Sequence, residues 1–142
     1  MSLEALLLST LSWISPTSRE AVVLLATFGA MGADPLARRL GLQSRFQLGR
    51  ILAHDGLPPL QELKSWIRVV GWVLEWERKG ISLCRSALGR DIDPAICYRL
   101  VRRLTGVPWT EVRYRGLAWT LLQLRERCRL PEEPSLLKRA VG

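Results

Sequence analysis

Apolar residues recur along this chain at the three-to-four-residue spacing of amphipathic helices, whereas the strict alternation that marks strands is nearly absent. Helix starts are marked by capping residues, which accept hydrogen bonds from the free N–H groups of a first turn. Such caps predict helices that begin at Thr17, Asp34, Ser44, Ser82, Asp93 and Thr110. Trp109 and Tyr114 fit a hydrophobic staple around the last of these caps. The pattern predicts an all-α fold of about seven helices, to which residues 1–16 add a short helix packed on the first unit.

The segment "PLQELKSWIRVVGWVLEWERKG", which follows Pro58, confines its polar residues to a narrow stripe. A helix that is apolar on its other sides must be covered from more than one direction. We therefore expect residues 58–80 to form a long linking helix between two packed units. Its tryptophans, like Trp109 and Trp119, lie on apolar stripes or at a staple, and core packing is expected for them ahead of base stacking.

The two halves of the chain resemble one another at an offset of 48 to 50 residues. "QLGRIL" at 47–52 matches "ICYRLV" at 96–101, and "DGLPPLQEL" at 55–63 matches "TGVPWTEVR" at 105–113. Each copy reads as a short helix, a tight turn and a second helix, which is a helix-turn-helix arrangement. The predicted divisions are an N-terminal extension at 1–16, a first helix-turn-helix subdomain at 17–57, the linking helix at 58–80, a second subdomain at 81–129 and a C-terminal tail at 130–142.

The second helix of each unit carries an inner apolar face and an outer face with arginines. In such recognition helices the early residues approach base edges, while later residues and helix N-termini reach phosphates. The predicted base contacts are Gln47, Arg50, Ala95, Ile96 and Arg99. The predicted phosphate contacts are Ser44, Arg45, Ser82, Arg102, Arg103, Thr110 and Arg113. For any single arginine, the alternative is a solvated surface charge.

Two residues of the first unit allow two interpretations each. Phe46 either contacts a thymine methyl group from the outer face, or packs under the preceding helix if the register shifts by one residue. Gly49 costs about 1 kcal/mol against alanine in mid-helix. Either the DNA backbone approaches it closely, or the packing there is merely looser.

The charge balance adds a partner class to this picture. Twenty-one Lys and Arg face thirteen Asp and Glu, which gives a net charge of +8 and favours a polyanion such as nucleic acid. A basic protein without a polyanion partner is the alternative, and a GC-rich genome would also favour arginine over lysine.

Other chemistry finds little support. His54 is the only histidine and has no evident catalytic partner set, so neither an enzyme, nor a cofactor, nor a metal site is predicted. The three cysteines match no zinc spacing and are expected to be buried, reduced thiols, with a redox sensor as the alternative. "LEALLLSTL" is too short to span a membrane, and without a signal peptide a cytoplasmic location is expected.

Residues 17–128 resemble the DNA-binding domain of the AraC/XylS family of bacterial transcription regulators. "PAICYRLVRRLTGVPWTEVR" at 94–113 is similar to that family's signature segment, and "LARRLGL" at 36–42 and "GLPP" at 56–59 are similar to its first unit. Cys97, Val101 and Thr105 depart from it, because they stand where the family mostly has phenylalanine. The resemblance implies two homeodomain-like three-helix units joined by one long helix, in a small stand-alone member without a sensory domain or in a fragment. Met1 favours the stand-alone member.

The sequence therefore predicts a transcription regulator that reads two adjacent major-groove segments of double-stranded DNA. RNA polymerase is a further expected partner, and the protein is expected to be a monomer or weak dimer. The alternative is a helical protein-interaction module that has kept the fold but lost specific DNA reading.

Overall fold

The described part of the chain, residues 1–29 and 31–130 of a computed structural model, is built from α-helices. Eight helices occur in this part: α1 Leu3–Thr10, α2 Pro16–Phe28, α3 Ala33–Arg39, α4 Arg45–His54, α5 Leu60–Lys79, α6 Leu83–Leu88, α7 Pro94–Thr105 and α8 Trp109–Arg127. The predicted all-α fold is thus confirmed, with the short helix expected within residues 1–16. The predicted tail at 130–142 lies outside the described residues except for Leu130.

Three predicted helix caps are confirmed by hydrogen bonds at helix starts. Ser44 and Ser82 cap α4 and α6 through their hydroxyl groups, and the carboxylate of Asp93 caps α7 by accepting from Ala95 N at 3.0 Å. These contacts involve only neighbouring residues, so the local sequence was sufficient to predict them.

The other three predicted caps are wrong. α2 begins after Ser15 rather than at Thr17, because Ser15 Oγ accepts from Ser18 N and Pro16 follows as a first helical residue. Asp34 lies inside the first turn of α3, whose cap is Gly32. Pro108 replaces Thr110 as the cap of α8, and Tyr114 is 86% exposed, so no staple forms over Trp109.

Two apolar cores share α5 between them. Leu63, Ile67 and Val70 of α5 belong to the first core, together with residues of α1 to α4 and of the end of α8. Trp72 and Val73 face the second core, formed with α6, α7 and the start of α8. The prediction that the linking helix is covered by two packed units is therefore confirmed. Three of the tryptophans predicted to pack in cores are fully buried, namely Trp66, Trp72 and Trp109.

A break in α8 makes this helix a second connection between the cores. Gly116 has φ 91° and ψ −178°, a conformation open almost only to glycine. The carboxylate of Glu77 in α5 accepts the N–H of Leu117 at 2.9 Å, just past the break. Beyond it, α8 returns to the first core through Leu124, and Cys128 follows. The predicted second subdomain at 81–129 therefore does not coincide with one core, because Leu121, Leu124 and Cys128 pack on the other.

The first 16 residues are part of the first core rather than an extension. Leu7, Leu11 and Ile14 are buried in it. The carboxylate of Asp55, just past the end of α4, accepts hydrogen bonds from Ser15 N at 3.1 Å and Ser15 Oγ at 2.6 Å. These contacts attach the turn between α1 and α2 to the end of α4.

Candidate nucleic-acid interface

The outer face of α7 is a basic surface without an acidic residue between Pro94 and Thr105. Cys97, Leu100 and Val101 are buried on the inner face, as the periodicity predicts. The predicted contact residues of this helix all lie on the exposed side: Ala95, Ile96, Arg99, Arg102 and Arg103. Ile96 is 52% exposed, so a large apolar side chain stands among these arginines.

The outer face of α4 combines an aromatic ring with two arginines. Leu48 and Leu52 are buried, while Arg45 and Arg50 are exposed. Phe46 is 64% exposed, which excludes the register in which it would pack under the preceding helix. The guanidinium of Arg45 lies 5.1 Å from the centre of its ring, a cation–π contact on the surface.

Gly49 lies exposed in the middle of α4. A Cβ atom added there would meet no heavy atom within 4 Å. No neighbour inside the molecule therefore requires a glycine at this position. Its cost to the helix is not offset by any internal contact of the described residues.

Gln47 has a structural role that the sequence prediction missed. Its amide oxygen accepts from Gln43 N at 2.8 Å, and its own N–H donates to Ser44 Oγ at 3.3 Å. A bidentate contact to adenine needs that same oxygen as an acceptor. The predicted base contact of Gln47 therefore requires this hydrogen bond within the turn to open.

The predicted phosphate contacts fall into three different environments. Arg102 and Arg103 are exposed, whereas Ser44 and Ser82 are half-buried caps whose hydroxyl groups already accept backbone N–H groups. Thr110 is exposed in the first turn of α8. Arg113 is half-buried, with its guanidinium 4.6 Å from the ring centre of Trp76.

α4 and α7 each border a depression, and the two depressions, whose linings share Glu62 and Arg127, are together called the α4–α7 channel here. One part is lined by Gly49 and Ala53 of α4 together with Glu62, Arg127 and Arg129. The other part is lined by Arg103 of α7 and again by Glu62 and Arg127. The Glu62–Arg127 ion pair, 2.9 Å long, is the wall that the two parts share.

Arg127 and Arg129 were not among the predicted contact residues. Both are exposed at or just after the end of α8, and the return of α8 to the first core brings them to the channel. The run "RERCR" at 125–129 was the signal in the sequence, but its location depended on the break at Gly116.

The ion pairs within the described residues do not include Arg50, Arg99 or Arg102. The ion pairs found there are Arg90–Glu75, Arg115–Glu111 and Arg127–Glu62. Glu75 also accepts from Ser86 Oγ at 2.6 Å, and Glu77 accepts from the break in α8. In the part of the chain that the structure describes, Arg50, Arg99 and Arg102 thus keep their charge free for an external anion.

The thiols of Cys97 and Cys128 are buried and weakly reactive. Burial raises the pKa of Cys97 and raises that of Cys128 to about 11. Protonated thiols are weak nucleophiles and weak metal ligands. The described residues contain no group of three or more side chains placed to hold a metal ion. None of the described helices combines the length and apolarity needed to cross a membrane.

Comparisons with protein-family models, with curated proteins and with solved structures gave no match. The resemblance to AraC/XylS DNA-binding domains therefore stays a prediction from the residues quoted above.

Proposed function

We propose that this protein regulates transcription by sequence-specific binding of double-stranded DNA, with α4 and α7 reading two adjacent major-groove segments. The observation that carries the proposal is the pair of arginine faces on these helices, which form no ion pair within residues 1–29 and 31–130. Arg50 and Arg99 occupy equivalent positions of the repeat, and α4 and α7 both border the α4–α7 channel. Guanidinium groups bind guanine edges and phosphates bidentately, which suits this arrangement.

The outer faces divide into base-reading and phosphate-binding positions. Arg50 and Arg99 lie at the centres of the outer faces and are assigned to guanine O6 and N7. Ala95, Ile96 and Phe46 offer apolar contact to thymine methyl groups. The assigned phosphate contacts are Arg45, Arg102, Arg103 and Arg113, with backbone N–H groups near Ser44, Ser82 and Thr110.

The channel also supports a tandem reading of the duplex. α4 borders the channel with the flank that carries Gly49. α7 borders it with the flank that carries Arg103, which is not the equivalent of the Gly49 flank in the repeat. Units related by a two-fold axis would turn equivalent flanks toward each other. We therefore expect a non-palindromic site whose two segments lie about 34 Å apart, bound by one monomer.

Selection of bound duplexes from a random pool, followed by titration of the selected site, tests this proposal. We expect one asymmetric site and an affinity that falls steeply with salt concentration. Arg99→Ala should reduce discrimination at one base pair by about 1–3 kcal/mol, whereas Arg102→Ala should weaken all duplexes alike and lower the salt slope by about 1.

The matched control is Arg125→Ala, because Arg125 is exposed on α8 and does not line the channel. It should change neither discrimination nor salt slope by a comparable amount. If no duplex is bound even at low salt, DNA binding is excluded. If Arg99→Ala and Arg102→Ala act identically, the division between base and phosphate contacts is wrong.

The second candidate function is a helical protein-interaction module. It is favoured by the exposure of Phe46 and Ile96, large apolar side chains on the same two outer faces. Such side chains suit the core of a protein interface as well as a thymine methyl group. RNA polymerase as a partner and a cytoplasmic site of action belong to the first proposal.

A further inference from the structure

A cavity of about 530 Å³ lies between the two cores, on the side of α5 that carries Lys64 and Arg68. Its walls come from the end of α2, from α5 and from the connection between α6 and α7 that includes Arg90 and Ile92. None of its lining residues lines the α4–α7 channel. It is therefore a separate feature that the proposed DNA contacts do not use.

The lining combines apolar side chains with the charged side chains of Lys64, Arg68, Glu75 and Arg90. Leu3, Phe28 and Ile92 contribute accessible apolar surface. Among the charged side chains, Arg90 is paired with Glu75 at 3.2 Å, so its charge is balanced. A cavity of this size is ordinary for a small-molecule site, which usually combines apolar walls with a few polar groups.

The lining also carries two cations, Lys64 and Arg68, that form no ion pair within the described residues. Lys64 and Arg68 lie one turn apart on α5 and are both half-buried. Burial and the neighbouring charge of Arg68 lower the pKa of Lys64. An anion placed between these two groups would relieve their repulsion and compensate their desolvation.

We propose that this cavity is a binding site for a small apolar organic anion. Its single carboxylate or phosphate lies against Lys64 and Arg68, and its apolar body lies along Phe28 and Ile92. A neutral apolar molecule would leave both cations unpaired. A bare inorganic anion would leave the apolar walls unused, so both parts of the ligand are required.

The location gives the ligand a regulatory role, which rests on the proposed function. The cavity is walled by α2 of the first core and by Arg90 and Ile92 near the second core. An occupant that contacts both stabilises one relative placement of α4 and α7. DNA affinity then changes with ligand concentration. Because the coupling is reciprocal, bound ligand changes the affinity for DNA by the same factor by which bound DNA changes the affinity for the ligand.

The test is a calorimetric titration of the full chain, without DNA, by octanoate, octyl phosphate and octan-1-ol. Tryptophan indole N–H resonances are followed in parallel, with Trp72 assigned through Trp72→Phe. We expect saturable binding of at least one anion, at least about tenfold tighter than that of octan-1-ol. The tighter of the two anions identifies the headgroup as carboxylate or phosphate. The Trp72 resonance should shift with the same dissociation constant.

Charge removal at the cavity provides the decisive variants. Lys64→Gln and Arg68→Gln should each weaken the anion about tenfold, whereas Lys79→Gln and Arg125→Gln, which remove exposed charges elsewhere, should not. Circular dichroism confirms the fold, and Lys64→Gln serves alone if Arg68→Gln unfolds the chain. Failure of both anions to saturate, or equal binding by the cavity and control variants, overturns the proposal. Because no DNA is present, this result is independent of the proposed DNA binding.

Discussion

Replacement of Gly56 by alanine tests how residues 128–130 are held on the first core. Gly56 has φ 76°, and a Cβ atom there would lie 1.7 Å from the carbonyl oxygen of Arg129. The N–H of Arg129 also donates to Gly56 O at 2.8 Å. Alanine therefore forces residues 128–130 away from the turn between α4 and α5.

The expected cost is the sum of three effects. A positive φ costs alanine about 1–2 kcal/mol, loss of the hydrogen bond to Arg129 about 1 kcal/mol, and re-exposure of the Cys128 side chain about 1 kcal/mol. We therefore expect Gly56→Ala to lower the free energy of unfolding by about 3–4 kcal/mol. Gly41→Ala is the matched control, because Gly41 has φ 71° and a Cβ there would meet nothing within 4 Å. It should cost only about 1–2 kcal/mol.

Urea unfolding followed by tryptophan fluorescence measures both changes. In a chain that ends at Arg127, the excess cost of Gly56→Ala over Gly41→Ala should disappear. Equal costs of the two substitutions in the full chain would refute the reasoning, since the close approach to Arg129 is what distinguishes them.

Three further predictions concern α4, the Asp55 contact and the break in α8. Gly49→Ala should raise the free energy of unfolding by about 1 kcal/mol. If the DNA backbone approaches α4 there, the same variant should also bind the selected duplex with lower affinity. An unchanged affinity assigns Gly49 to loose packing. Burial opposes ionisation of Asp55, but hydrogen bonds from Ser15 and Ser18 outweigh it and lower its pKa. Its stabilising effect is thus complete above an ordinary carboxyl pKa of about 3.9 and is lost as the pH falls through the lower pKa of the folded state. The difference in stability between the protein and Asp55→Asn should therefore shrink in acid. A difference that does not depend on pH contradicts this. Glu77→Ala should cost about 0.5–1.5 kcal/mol by removing the acceptor of Leu117 N–H. Glu77→Gln, which keeps an acceptor, should cost less in the same urea assay.

Local features were predictable because their partners are neighbours in sequence. The hydroxyl groups of Ser44 and Ser82 cap helices through N–H groups three residues on, as a capping pattern implies. Periodicity likewise placed Arg99 outside and Leu100 inside α7, since side-chain direction follows from the helix itself. The apolar circumference of α5 required cover from two sides, and both cores pack on it.

Features that join distant residues were decided only by tertiary structure. The carboxylate of Asp55 accepts hydrogen bonds from Ser15, the cap of α2, across about 40 residues, and only the folded chain brings these groups together. In the sequence, nothing distinguishes Gly116 from an ordinary helix residue. In the folded chain, Glu77 of α5 accepts the N–H that the break at Gly116 exposes. That break carries α8 back to the first core and Arg127 to the channel. Periodicity determines which face of a helix is buried, but which neighbour covers it is settled by packing among all the helices at once.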